Sequence, residues 1–139
     1  MTLQWMDLLG SPYKLHGQGR DGFDCSSLAE TILQRTGRKV PKSSPFRAVT
    51  GDNPADSIQE YFEAMDTAYE KVGDNIQGAK EVGDLVLCAD DTGLPRGLYV
   101  LVEPSRGTFL TAHIWAGVVS VRRFALKNIL GVYRAKASA

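Results

Sequence analysis

The chain has 139 residues, 43% of them hydrophobic and 23% charged, a globular mix with enough apolar mass for one buried core. Its 16 basic residues balance 16 acidic ones, so no net field draws it to nucleic acid or to anionic lipid. Two cysteines, Cys25 and Cys88, make no disulfide framework and fit a reducing compartment or unpaired thiols.

The opening MTLQWMDLLG lacks a basic region followed by a long apolar run, so no signal peptide is expected, and no stretch approaches the roughly 20 apolar residues that span a bilayer. Leu3, Met6 and Leu8-Leu9 predict a short helix stopped by Gly10. A glycine-dense loop with one proline follows. From Cys25 the apolar positions Cys25, Leu28, Ala29, Ile32 and Leu33 recur at helical spacing, with Asp24 as a cap and Thr36-Gly37 as the stop. A second helix is predicted from the Asn53-Pro54 start along Ile58, Tyr61, Phe62, Met65 and Tyr69, ending at Gly73.

After Gly83 the character changes. GDLVLCAD, LYVLVE, TFLTAH, GVVSVRRF and ILGVYR are short β-rich runs separated by turn residues. Helices first and strands second indicate a single α+β domain, residues 1–139, with an antiparallel meander of about five strands. The basic runs Arg35 to Lys39 and Arg122-Arg123 have no interleaved aromatic residues and read as solvated surface.

Three patterns could carry chemistry. Gly17-Gln18-Gly19-Arg20-Asp21-Gly22 spells GxGxxG, but no strand precedes it and no βαβ unit surrounds it, so these glycines read as loop residues allowing close backbone approach. His16, Cys25, Cys88 and His113 lack the paired spacing of metal ligands, so neither metal nor cofactor is expected. Cys25 stands at the first turn of a helix, where free N–H groups and the helix dipole favour a thiolate and could hold an oxyanion. It also lies on the apolar stripe, so the residues alone leave a nucleophile and a buried structural cysteine both open.

Read whole, GSPYKLHGQGRDGFDCSSLAE resembles the signature of the NlpC family of papain-like cell-wall cysteine peptidases, G-x-P-Y-x-x-G-G followed by G-[FI]-D-C-S-G-[LF]. The Tyr13-to-Cys25 gap of 12 residues (25 − 13) fits without an insertion. Val40-Pro41-Lys42-Ser43-Ser44 and Gly83-Asp84-Leu85-Val86 are similar to two further family stretches, and Ile129 to Arg134 is similar to the ending of members encoded in phage tail modules.

The resemblance implies a papain-like NlpC fold, N-terminal helices on the meander, with Cys25 as nucleophile and Tyr13 helping to bind the oxyanion. Asp24 and Ser26 would shape the site beside Ser27, which replaces a family glycine. It also implies a loss. Fitting the family's strands places Gly97 and Thr111 where two histidines are usual. His113 lies two residues beyond Thr111, displaced by about 6–7 Å along a strand against the roughly 3 Å reach of a general base. His16, beside Tyr13, is the other candidate base.

The expectation is therefore a catalytically degenerate domain in a phage or phage-like tail tip, free in the cytoplasm before assembly. Its expected partners are other tail or baseplate proteins, with a homo-oligomeric ring as the expected assembly. The alternatives are an active endopeptidase cutting peptidoglycan stem peptides with Cys25 and His113 or His16, and a related thiol-dependent transferase or amidase.

Overall fold

In the computed structural model the described residues are 4–14, 21–23, 25–37, 69–89, 91, 93, 95–113 and 115–135. The predicted second helix lies outside them up to residue 68, as do Val40 to Ser44.

One 3-10 turn, Met6–Leu8, stands where the first short helix is predicted, and the long helix α1 runs Cys25–Arg35. Its stripe of Leu28, Ala29, Ile32 and Leu33 is buried to within 1%. Gly37 takes the positive φ of +79° that closes such a helix without strain. Arg35 then ties the helix end to the N-terminal turn. It donates to Asp7 Oδ1 and Oδ2 at 2.7 and 2.9 Å and to the Gln4 carbonyl at 2.9 Å. These hydrogen bonds hold the Asp7 carboxyl below its usual range.

Among the described residues the sheet has six strands, not about five: β1 (Tyr69–Gly73), β2 (Leu85–Ala89), β3 (Pro95–Glu103), β4 (Thr108–His113), β5 (Gly117–Arg122) and β6 (Ile129–Ala135). Their spatial order is β1-β6-β2-β3-β4-β5, antiparallel at every junction. Strands β2 to β5 form the predicted meander. β6 returns to the other side of β2, with Leu85 opposite Tyr133, and β1 pairs outside it, with Tyr69 opposite Ala135. The predicted helix end at Tyr69 to Gly73 is thus a strand. Its helical reading rested on local spacing, whereas its pairing partner lies some sixty residues further along.

Alternation divides the apolar residues between the two sheet faces. One face carries Leu85, Leu87, Leu98, Val100, Val102, Leu110, Ala112 and Val118, which cluster with the stripe of α1 and with Trp5, Leu8 and Phe23. The other carries Val86, Cys88, Leu101, Phe109 and Val132, packed with Ala79 and Leu126. A buried leucine contributes about 1.5–3 kcal/mol on such a face, so α1 is held chiefly by its four apolar residues.

Asp84 and Arg134 lock the return of β6. The fully buried Asp84 carboxylate accepts the Lys80 and Glu81 N–H groups at 3.0 Å each. It also accepts Arg134 Nε and Nη2, at 2.9 and 2.8 Å. Two stretches noted for their family resemblance, GDLV and GVYR, therefore meet in one fork of hydrogen bonds.

Cys88 is buried in the second cluster, a free thiol pushed up to about 11 by desolvation. At pH 8 only about one part in a thousand is thiolate. In a Cys25→Ala background, a disulfide reagent at pH 8 is expected to leave Cys88 unmodified for many minutes. One equivalent should react promptly once denaturant unfolds the chain, and prompt reaction of the folded protein would contradict this burial.

Candidate active site

The candidate site is built around the start of α1. Cys25 is the first residue of the helix and Ser26 the second, and the side chains of both lie outside the described structure. Asp24 and His16 lie outside the described residues altogether.

Upstream, Tyr13 is bridged in parallel to Phe23. Phe23 N–H donates to the Pro12 carbonyl at 2.9 Å, and Lys14 N–H donates to the Phe23 carbonyl at 3.0 Å. Tyr13 is half-buried against the core cluster of the α1 face. The tyrosine segment is thereby fixed beside the residue two positions before Cys25.

Two glycines make that placement possible. A Cβ on Gly22 would lie 2.4 Å from the Pro12 carbonyl oxygen, and φ there is +138°. On Gly117, φ +73°, a Cβ would lie 2.2 Å from the Ser11 carbonyl oxygen. Gly22 thus does what the sequence suggests for the loop glycines, bringing one backbone hard against another. Gly117 was not legible as part of the site, because only the fold brings it to Ser11. Its one local signal is a glycine at the end of a tight turn. From Val118, β5 clasps the same segment: Gly10 N–H donates to the Val118 carbonyl at 3.0 Å, and Val118 N–H to the Ser11 carbonyl at 2.8 Å.

Ser27 is buried inside the first turn of α1, and its carbonyl accepts the Thr31 hydroxyl at 2.8 Å. On the sheet, the residues turned towards α1 from β3 and β4 include Leu98, Val100, Leu110 and Ala112, all apolar.

The residues fitted to the family's histidines lie elsewhere. A Cβ on Gly97 would strike the Tyr99 ring at 2.9 Å, and Tyr99 packs with the second cluster. Thr111 alternates with Phe109 of that same cluster, and its hydroxyl donates to the Leu98 carbonyl at 2.9 Å. By alternation both positions, and His113 with them, belong to the sheet face opposite α1. The fitted positions thus lie on the far face, and their one-residue neighbours, Leu98 and Ala112, are the helix-facing positions.

His113 is exposed, at the end of β4. Its Nδ1 accepts the backbone N–H groups of Trp115 at 3.1 Å and Ala116 at 3.3 Å. The lone pair a general base would need is engaged in the turn, leaving Nε2 to carry the ring proton. Among the described residues no three of His, Cys, Asp or Glu come together as metal ligands, and no helix is long and apolar enough to cross a membrane.

The described site is a helix opened by a cysteine, laid on an antiparallel meander, with a tyrosine segment pinned beside its start. Residues 10–127 match the NlpC/P60 family, and the chain belongs to that family. Among solved structures, an NlpC/P60 family protein from Bacillus cereus ATCC 10987 is similar over 92% of this chain, with a TM-score of 0.58 and 20% identity. The chain spans 36% of that protein's length, and at this identity the likeness is one of fold. No curated protein matches the chain.

Proposed function

We propose that this chain is a catalytically degenerate NlpC/P60 domain, acting as a structural or interaction component of a phage or phage-like tail tip. The observation that carries the degenerate reading is the apolar sheet face turned towards α1. Leu98, Val100, Leu110 and Ala112 offer no group that could take a proton from a thiol at the helix start. His113, the described imidazole, lies on the other face with its acceptor nitrogen in use. In well-studied hydrolases the loss of a triad member lowers the rate by about 10⁴–10⁶. The tail role is supported by the likeness of Ile129 to Arg134 to members encoded in phage tail modules. Its partners would be neighbouring tail or baseplate proteins, and its assembly a ring of copies.

The second reading is an active endopeptidase acting on peptidoglycan stem peptides, with Cys25 as nucleophile. It is favoured by the helix start at Cys25 and by the Tyr13 segment fixed beside Phe23. Its base would be His16, or His113 after a change of tautomer and position.

Digestion of purified peptidoglycan by the wild type and by Cys25→Ala separates the two. Equal, negligible release of cut stem peptides is expected. Release that depends on Cys25 would overturn the degenerate reading.

A further inference from the structure

The turn between β4 and β5 is organised by an imidazole. His113, the last residue of β4, pairs with Gly117, the first of β5. Between them the ring closes the turn, Nδ1 accepting the N–H groups of Trp115 and Ala116. An imidazole nitrogen accepts only while it carries no proton, and both nitrogens carry one in the imidazolium. This turn is therefore specific to the neutral ring.

The turn also seats a distant segment. Immediately after it, Gly117 leaves room for the Ser11 carbonyl, and Val118 exchanges backbone hydrogen bonds with Gly10 and Ser11. Those residues run on through Pro12 into Tyr13. Whatever loosens residues 115–117 loosens the bed on which the tyrosine segment lies.

We propose that His113 is a pH-sensitive clasp. While neutral it fixes the β4–β5 turn and, through Gly117 and Val118, the seat of residues 10–13. Protonation withdraws the shared acceptor and releases both. The ring is exposed, so a proton reaches it without unfolding.

Among the described residues, other titratable groups on the adjoining elements are few. Residues 10–14 bring Tyr13 and Lys14, the latter paired with Asp21 at 3.3 Å. β5 brings Arg122 at its far end, donating to the Arg106 carbonyl. β3 brings Arg96, Tyr99 and, at its far end, Glu103, which is paired with Arg106. Among the described residues, the hydrogen-bond partners of the imidazole are the two turn amides alone. The clasp operates whichever reading of Cys25 holds.

Amide-exchange protection factors measured by NMR at pH 7.5 and pH 5, corrected for intrinsic exchange, test this. In the wild type, protection of Gly10, Ala116 and Val118 is expected to fall about ten-fold at pH 5, the effect of losing one hydrogen bond at the turn. His113→Asn keeps a side-chain acceptor that does not titrate, and should stay protected at both pH values. His113→Ala should be weakly protected at both. Unchanged wild-type protection, or an asparagine variant that follows the wild type's pH dependence, would overturn the proposal.

Discussion

Asp84→Ala is expected to destabilise the domain by about 3–5 kcal/mol, the usual loss when one partner of a buried charge pair is removed. For a domain of this size that is a fall in melting temperature of roughly 10–20 °C. Four hydrogen bonds converge on the carboxylate: two backbone N–H groups at the Lys80–Glu81 turn and two guanidinium donors of Arg134. The side chain is wholly buried, so water cannot replace it. Arg134 keeps Glu81 at 2.7 Å, but that carboxylate is half exposed and screened. Arg134→Lys should lose less, about 1–2 kcal/mol, because a point charge replaces a planar fork while the charge stays. Asp74→Ala, which breaks the exposed pair with Lys71, should change stability by under about 1 kcal/mol. Urea unfolding with a shared m-value orders the three variants. A loss below about 1 kcal/mol for Asp84→Ala would mean that the fork does not hold β6 to the fold.

That fork also shows what the chain reveals before folding and what it does not. GDLV and GVYR are legible as strand starts and as family stretches, yet their pairing across fifty residues is not, because nothing local couples Asp84 to Arg134. The bounds of α1 were legible because its stripe has one phase and its stop is a glycine. β1 was not, because Tyr69 to Gly73 also fits the end of a helical stripe and is made a strand only by β6. The sidedness of the candidate site was hidden for a different reason. β2 and β4 are buried on both faces, so Leu85 to Cys88 and Thr108 to Ala112 show no polar–apolar alternation to set their phase. A fit by motif puts Gly97 in the run that becomes β3 and Thr111 in the run that becomes β4. Only the fold turns them away from α1 and turns Leu98 and Ala112 towards it.

The second large effect is expected at the glycines that seat the tyrosine segment. Gly22→Ala must resolve a 2.4 Å approach to the Pro12 carbonyl, and Gly117→Ala one of 2.2 Å to the Ser11 carbonyl. Both opposing atoms are backbone, so neither can rotate aside as a side-chain tip would. Each substitution also places a Cβ at a positive φ, +138° and +73°. Strain of about 1–3 kcal/mol for such a conformation and about 1–3 kcal/mol for the added bulk give an expected loss of about 2–6 kcal/mol at each site. Gly37→Ala separates the two contributions. Its φ of +79° matches that of Gly117, but nothing lies within 4 Å of its Cβ, so it should show only the conformational part, about 1–3 kcal/mol. The chain has a local way to relieve the clash, which is to let residues 10–13 lift from Gly22 and β5. The loss should therefore appear first as faster amide exchange at Gly10, Lys14, Phe23 and Val118, whose N–H groups make the bonds of that seat. If Gly22→Ala and Gly117→Ala were no more destabilising than Gly37→Ala, with those four amides still protected, the segment carrying Tyr13 would not be held between the two glycines.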